Sequence, residues 1–127
     1  MVVSIDSGRN SHGNPEVFID GGRSGTGLDP IAWAKECEKC GAGEILLQVI
    51  ERDGTGAGYD LELIREMSGA LRIPLIACSG VGRFEDYAPA IFAGASAVAA
   101  ANLWHFRELS DRGGKRAMAK SGIAIRL

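Results

Sequence analysis

Two segments of the sequence carry residues whose types and spacing suit phosphate binding. The first is the apolar run Leu75–Cys78, which is followed by Ser79-Gly80-Val81-Gly82. A short apolar run that ends in small residues and glycine predicts a buried strand and a sharp turn before a helix. Such turns expose backbone amides that can bind an anion closely. Glycine is also common in turns because it tolerates positive φ, so this turn alone leaves both interpretations open.

The second segment is the apolar run Ser96–Ala101, which leads into Asn102 about one βα unit downstream. Asn102 is typical of a helix N-cap, and a short helix is predicted at 103–107. In (βα)8 barrels, the loops after the last two strands and the N-terminus of a short extra helix commonly form one phosphate site. The two segments together therefore predict phosphate binding at the Gly80 and Asn102 turns.

A carboxylate follows the first apolar run of the chain. Met1–Ile5 is typical of a central parallel strand, and Asp6 would lie at its C-terminal tip, where barrel enzymes place catalytic groups. An aspartate that only caps a turn would fit equally well. Asp53-Gly54-Thr55 is similarly either an amide-lined phosphate turn or a plain Asp-Gly turn. Small residues follow several of the predicted strands, and a ligand-binding face is the simplest explanation of that repetition.

The length and charge of the chain limit its class. With 127 residues it is predicted to form one domain over 1–127, about half the usual size of a closed eight-stranded barrel. Fourteen basic and sixteen acidic residues give a net charge of −2, so no basic surface indicates nucleic acid or an anionic membrane as a partner. Three cysteines, without a signal peptide or a membrane-spanning apolar run, favour the cytoplasm.

The spacing of Cys37 and Cys40 invites a redox or zinc interpretation, but no second pair of ligands accompanies them and they end a helix instead of starting one. Cys37 follows Trp33 by four residues and is expected in the core. We expect neither a metal nor a cofactor. His12 is expected to be a solvated loop residue, and His105 is expected to pack the short helix.

Strands and helices are predicted to alternate along the chain. Asp29-Pro30 is a helix start, because it combines an aspartate N-cap with proline at the first helical position. Residues 7–28 are predicted to be a long glycine-rich loop with one short strand at 16–20. Strands are predicted at 1–5, 44–50, 74–78 and 96–101, and helices at 30–40, 60–71, 84–93 and 110–120. The predicted fold is α/β, with four βα units that form half of a TIM (βα)8 barrel.

A set of motifs occurs at successive strand ends: Val3–Asp6, Gly41–Leu47, Arg52–Thr55, Gly58–Asp60, Ser79–Gly82 and Ala99–Phe106. In this order and at this spacing, they closely resemble the C-terminal half of the HisF family, the cyclase subunit of imidazole glycerol phosphate synthase. The resemblance covers essentially the whole chain. It implies a TIM barrel of two similar halves, each of which supplies one catalytic aspartate and one phosphate site.

The resemblance also implies residue roles. Asp6 would be the general acid or base in an ammonia-dependent ring closure of histidine biosynthesis. Glu44, at the opposite end of its strand, would be a charged gate through which ammonia enters from a partner glutaminase. The phosphate site, for a substrate with a phosphate at each end, would consist of Asp53, Gly54, Gly80, Ala101 and Asn102.

Some residues depart from the family pattern. Gly8 stands where the family often has a basic residue, and Gln48–Glu51 and Cys78-Ser79 replace commoner sequences. The Ala-Cys-Ser-Gly-Val-Gly version resembles HisF-like paralogues associated with amidination of surface-polysaccharide sugars, which is a second hypothesis. A phosphate-binding half-barrel without catalysis is a third.

Half of a barrel leaves two strand edges unpaired and its inward side chains without an opposite wall. We therefore predict that the chain pairs with a second half-barrel, most simply a copy of itself. The pair would join Met1–Ile5 of one copy to Ser96–Ala101 of the other. Two copies of Asp6 would then face each other across the mouth of the barrel.

Overall fold

Strands and helices alternate along most of the chain in the computed structural model, which describes residues 1–101 and 110–126. Two short 3-10 turns, Ile50–Arg52 and Phe84–Asp86, lie in the connections. The elements in chain order are β1 (Val2–Arg9), β2 (Pro15–Ile19), β3 (Ser24–Gly25), α1 (Pro30–Lys39), β4 (Glu44–Val49), α2 (Leu61–Ala70), β5 (Leu75–Cys78), α3 (Tyr87–Ala93), β6 (Ala97–Val98) and α4 (Ser110–Lys120).

The strands form one sheet in the order β3-β2-β1-β4-β5-β6. β1, β4, β5 and β6 are parallel neighbours, and each is followed by a helix, whereas β2 and β3 form an antiparallel hairpin beside β1. Helical crossovers between neighbouring parallel strands are the repeating unit of (βα)8 barrels. The predicted α/β class, with four βα units that make up half of a TIM barrel, is confirmed.

Aspartate N-caps begin two of the helices, and the sequence predicts the one at Asp29. Asp29 accepts a hydrogen bond from the Ala32 amide at 2.8 Å at the start of α1. Asp60 accepts one from the Leu63 amide at 3.1 Å at the start of α2. Each carboxylate satisfies an amide that has no partner within the helix, so the helix bounds were readable from local sequence.

The prediction of a long loop over residues 7–28 was wrong, although the short strand predicted within it at 16–20 is confirmed as β2. β1 continues to Arg9, and β2 pairs with its second half in an antiparallel register, from Asp6 opposite Phe18 to Arg9 opposite Pro15. A Cβ on Gly8 would lie 2.8 Å from the Phe18 ring. Glycine at this position therefore lets the ring of β2 lie against the backbone of β1, a long-range contact that the local sequence does not reveal.

The fourth parallel strand is shorter than the predicted 96–101, because β6 spans only Ala97–Val98. The Ala99 amide still donates to the Ala77 carbonyl at 2.8 Å, which extends the attachment to β5 by one residue. β6 is the last strand of the sheet and pairs on one side only, so nothing in the described chain extends it. The helix predicted at 103–107, Asn102 and His105 lie outside the described residues.

The helices cover one face of the sheet. The fully buried side chains include Ile5, Ile45, Leu47 and Leu75 from the strands and Ile64 and Met67 from α2. Cys37 is buried in the same core, as predicted, while Cys40 is exposed. In the described part of the chain, no helix is long and apolar enough to cross a membrane. The opposite face of the sheet is less covered, and it carries the candidate site.

Candidate functional site

The less covered face of the sheet presents side chains in rows, because residues in register on neighbouring strands point the same way. Ser4, Leu46, Ile76 and Ala97 form one row. Asp6, Gln48 and Cys78 form the next row toward the carboxyl ends of the strands, and all three are half-buried. In the parallel part of the sheet, this second row lies level with the ends of β4 and β5, where (βα) proteins bind ligands.

Asp6 is held inside β1 between two strands, with Phe18 of β2 on one side and Gln48 of β4 on the other. This differs from the predicted position at a strand tip, because β1 continues for three more residues. Among the described residues, the Asp6 carboxylate has no hydrogen-bond or ion-pair partner. Its backbone is held by strand pairing on both sides, while its side chain makes no such contact in the described chain.

The loop from β4 to α2 is ordered by its own hydrogen bonds. The Thr55 amide and hydroxyl both contact the Arg52 carbonyl, at 3.1 and 2.8 Å. The exposed Asp53 donates its amide to carbonyls at the end of β4. The amides of Gly54 and Gly56 donate to no acceptor in the described chain, and both glycines have positive φ. The loop can therefore offer two amides to an anion.

The loop from β5 to α3 lies directly against the β4–α2 loop. The Gly58 amide donates to the Gly80 carbonyl at 2.7 Å. A Cβ on Gly80 would lie 2.3 Å from the Gly58 carbonyl oxygen, and a Cβ on Gly82 would lie 2.4 Å from that of Gly56. Both glycines are thus needed for contact between the two loops. Substituting Gly80 with valine would disturb this contact whether or not phosphate binds there.

A buried serine precedes these glycines. Ser79 has φ of 77°, in the left-handed region that residues with a Cβ occupy at a cost. Its backbone conformation sends the chain from the end of β5 into the glycine turn.

The Asp86 carboxylate already binds two backbone amides of the same turn. It accepts the amides of Gly82 and Arg83, at 2.9 and 3.0 Å, and lies 3.4 Å from the Arg83 guanidinium. These two amides are therefore unavailable to a ligand. Among the described residues, the amides of Gly80 and Val81 donate to no protein acceptor. Both residues are buried, so an anion would have to reach these two amides from the surface of the turn.

Tyr59 connects the β4–α2 loop to the end of the last parallel strand, a role that sequence reasoning missed. Its hydroxyl donates to the Ala99 carbonyl at 2.9 Å, and its side chain is only 4% exposed. Burial raises the pKa of the Tyr59 phenol well above its ordinary value, so the hydroxyl stays protonated and keeps donating. The only sequence signal is an aromatic residue between Gly58 and the Asp60 N-cap.

The remaining predicted residues lie at the two ends of the sheet. Glu44 begins β4 in register with Val2, so it is at the amino end, opposite to Asp53 and Gly54. Ala101 is exposed beyond the end of β6, on the side of the carboxyl ends. Within residues 1–101 and 110–126, no three histidine, cysteine, aspartate or glutamate side chains are grouped as a metal ion requires.

Four consecutive βα units, with a carboxylate and amide-rich loops at the carboxyl ends of parallel strands, define this chain as half of a barrel of the (βα)8 class. It belongs to the family described as histidine biosynthesis protein, whose family model matches residues 1–110. The imidazole glycerol phosphate synthase subunit HisF of Pyrobaculum aerophilum is 52% identical over 126 residues, which are 99% of this chain and 49% of that protein. The chain thus spans about half the length of this relative.

Proposed function

We propose that this chain is a cyclase half-barrel of the HisF type, acting in histidine biosynthesis. The observation that carries the proposal is the position of Asp6, level with the ends of β4 and β5, in a chain 52% identical to a HisF subunit. A carboxylate with no protein partner at the carboxyl ends of parallel strands is placed to act as a general acid or base. Ammonia would attack a ribulosyl formimino carboxamide ribotide, and ring closure would give imidazole glycerol phosphate, aminoimidazole carboxamide ribotide and one water.

The substrate's phosphate would bind where the two glycine-rich loops meet. The amides of Gly54, Gly56, Gly80 and Val81 support this location, because none of them donates to an acceptor in the described chain. Backbone amides of glycine-rich turns bind anions without needing a basic side chain, which suits a chain of net charge −2. The residues that the proposal assigns to the phosphate site are Asp53, Gly54, Gly80, Ala101 and Asn102.

Titration with inorganic phosphate, followed by amide NMR shifts, tests the location. We expect shifts at Gly54, Gly56 and Gly80 that saturate together. Gly41 and Gly43 serve as internal controls, because they lie before β4 at the other end of the sheet. Shifts confined to the control glycines, or none at millimolar phosphate, would contradict the proposed site.

The proposal extends to partners. Two copies of the chain would pair to supply two Asp6 side chains and two phosphate sites, since two proton transfers need two positioned groups. A glutaminase would deliver ammonia at the amino end of the sheet, where Glu44 lies. We place the activity in the cytoplasm, which the three unpaired cysteines support.

Turnover with ammonium salts tests the catalytic role of Asp6. Asp6→Asn should lower turnover at least about 100-fold, because a neutral amide of the same size cannot exchange the proton. Ser4→Ala is the matched control, since Ser4 lies on the same face two residues earlier and is exposed. Full activity in Asp6→Asn would remove it from catalysis, and phosphate binding without turnover in the paired chain would favour the non-catalytic half-barrel.

A further inference from the structure

Two apolar surfaces lie at the two ends of the run of parallel strands. The first, the β6 groove, is a cavity of about 720 Å³ between β6, α3 and α4. Its floor is the strand segment Ser96–Ala100, and its walls include Ile91, Met118 and Ile123. Lys115 of α4 is the basic side chain of its lining. The groove lies beside the strand edge that has no partner in the described chain.

The second surface, the β1 edge, is formed by Met1, Val3, Trp33 and Glu36 around a smaller cavity of about 280 Å³. Met1 is 84% exposed and Trp33 is 39% exposed, which is unusual for large apolar side chains. The outer backbone edge of β1 beside these side chains is also unpaired. β2 covers β1 only from Asp6 onward, so Val2–Ile5 pair with β4 alone.

We propose that these two surfaces bind each other in a two-fold pair of identical chains, an inference that rests on the pairing in the proposed function and names its contact residues. The β1 edge of one copy occupies the β6 groove of the other, with Met1, Val3 and Trp33 against the apolar walls. Glu36 of one copy then lies opposite Lys115 of the other. Each copy presents both surfaces, so the same contacts form twice and leave neither end of the parallel strands open.

Three observations favour a second copy as the occupant. Each surface combines an unpaired strand edge with an apolar lining, as strand addition requires. Among the described residues of the two linings, Glu36 at the β1 edge is acidic and Lys115 in the β6 groove is basic, so their charges are complementary. Both surfaces belong to one chain at the two ends of its run of parallel strands, so a two-fold pair continues the parallel sheet through both joints.

Charge reversal gives a sharp test by sedimentation equilibrium at low ionic strength. Glu36→Lys places two lysines opposite each other at both joints, and Lys115→Glu does the same with two glutamates. Each variant alone should associate at least about tenfold more weakly than the parent. An equal mixture of the two variants should regain dimer, because each lysine then faces a glutamate in the mixed pair.

Two controls isolate the charge effect. Lys39→Ala removes the exposed 3.6 Å ion pair that Glu36 makes within its own helix, and it should leave association unchanged. Glu66→Lys makes the same charge change on the exposed face of α2 and should also leave it unchanged. If the mixture associates no better than either variant alone, the reciprocal contact between Glu36 and Lys115 is refuted.

Trp33→Ala tests the apolar contact. Two tryptophans are lost per pair, so association should weaken by at least about 30-fold, while circular dichroism stays unchanged. Phe92→Ala is the matched control, because Phe92 is 68% exposed on α3 and does not line the groove. Equal effects of the two substitutions would overturn the assignment of Trp33.

A parent chain that sediments as a monomer at all concentrations would also overturn the inference. The inference would also be overturned if the parent chain stayed monomeric alone but bound the separately produced N-terminal half of a full-length relative. Pairing without turnover would leave the inference standing and count only against the proposed catalysis, so the two failures are distinguishable.

Discussion

The contact between the two glycine-rich loops predicts that Gly80 and Gly54 respond very differently to alanine, although both have positive φ. Holding a Cβ in the left-handed region costs about 1–2 kcal/mol at either position. At Gly54 the new Cβ meets nothing within 4 Å. At Gly80 it meets the Gly58 carbonyl oxygen at 2.3 Å and the Arg52 Cβ at 3.0 Å, which adds about 1–3 kcal/mol of overpacking. Alanine also restricts the unfolded chain, which offsets about 0.4–1 kcal/mol at both sites.

We therefore expect Gly80→Ala to lower the free energy of unfolding by about 2–4 kcal/mol and Gly54→Ala by about 1 kcal/mol or less. Urea unfolding followed by circular dichroism measures the free energy of unfolding of both variants. If the slope of that free energy against urea concentration is unchanged, the folded and unfolded states are otherwise comparable. Phosphate is left out of the buffer, so binding cannot contribute. Equal losses for the two variants would refute the loop contact as the reason for glycine at position 80.

Four further predictions concern substitutions at Tyr59, Ser79 and Gly8. Tyr59→Phe should lower the free energy of unfolding by about 1–2 kcal/mol, because it leaves the Ala99 carbonyl without its donor, and thermal unfolding checks this. Because the folded state keeps the Tyr59 phenol protonated, stability of the parent should fall as pH rises above the ordinary value of 10.0, and this fall should be smaller in Tyr59→Phe. Ser79→Gly should stabilise the chain by up to about 1 kcal/mol in urea unfolding, because it removes the strain of φ at 77°. Gly8→Lys should displace the Phe18 ring, detectable as changed ring-proton NMR shifts. Gly69→Lys is its control, because Gly69 is exposed and a Cβ there meets nothing within 4 Å.

Local sequence was sufficient for the repeating part of the fold. The alternation of apolar runs with capped helices located β4, β5, α1 and α2 to within a residue or two, because each of these signals is contained in a few neighbouring positions. The short strand at 16–20 was predicted, but its pairing with an extended β1 was missed for the opposite reason. Its attachment depends on the Phe18 ring lying where Gly8 has no side chain, and such a pairing appears only when the strands are together.

The candidate site could likewise be predicted from local sequence only in part. A carboxylate and glycine turns after successive strands were visible in the sequence. The structure places Asp6, Gly54 and Gly80 toward the carboxyl ends of the parallel strands. What each glycine does was not visible, because the need for Gly80 comes from the Gly58 carbonyl in another loop. The hydrogen bond of Tyr59 joins residues 40 positions apart, so no local pattern announces it.

The chemistry and the pairing are linked by the row of side chains in which Asp6 lies. Its neighbours in that row, Gln48 and Cys78, provide no second carboxylate, and Glu44 is at the other end of β4, about 13 Å away at 3.3 Å per residue. Among the described residues, the row of Asp6 holds no second carboxylate, so our proposal takes the second proton-transfer group from a second copy. Pairing of two copies at the strand edges that lack a partner would also place both Asp6 side chains at the same end of the closed barrel. Substitutions at Trp33 that prevent pairing should therefore lower turnover by the loss of dimer, while leaving the phosphate-induced shifts at Gly54 in place.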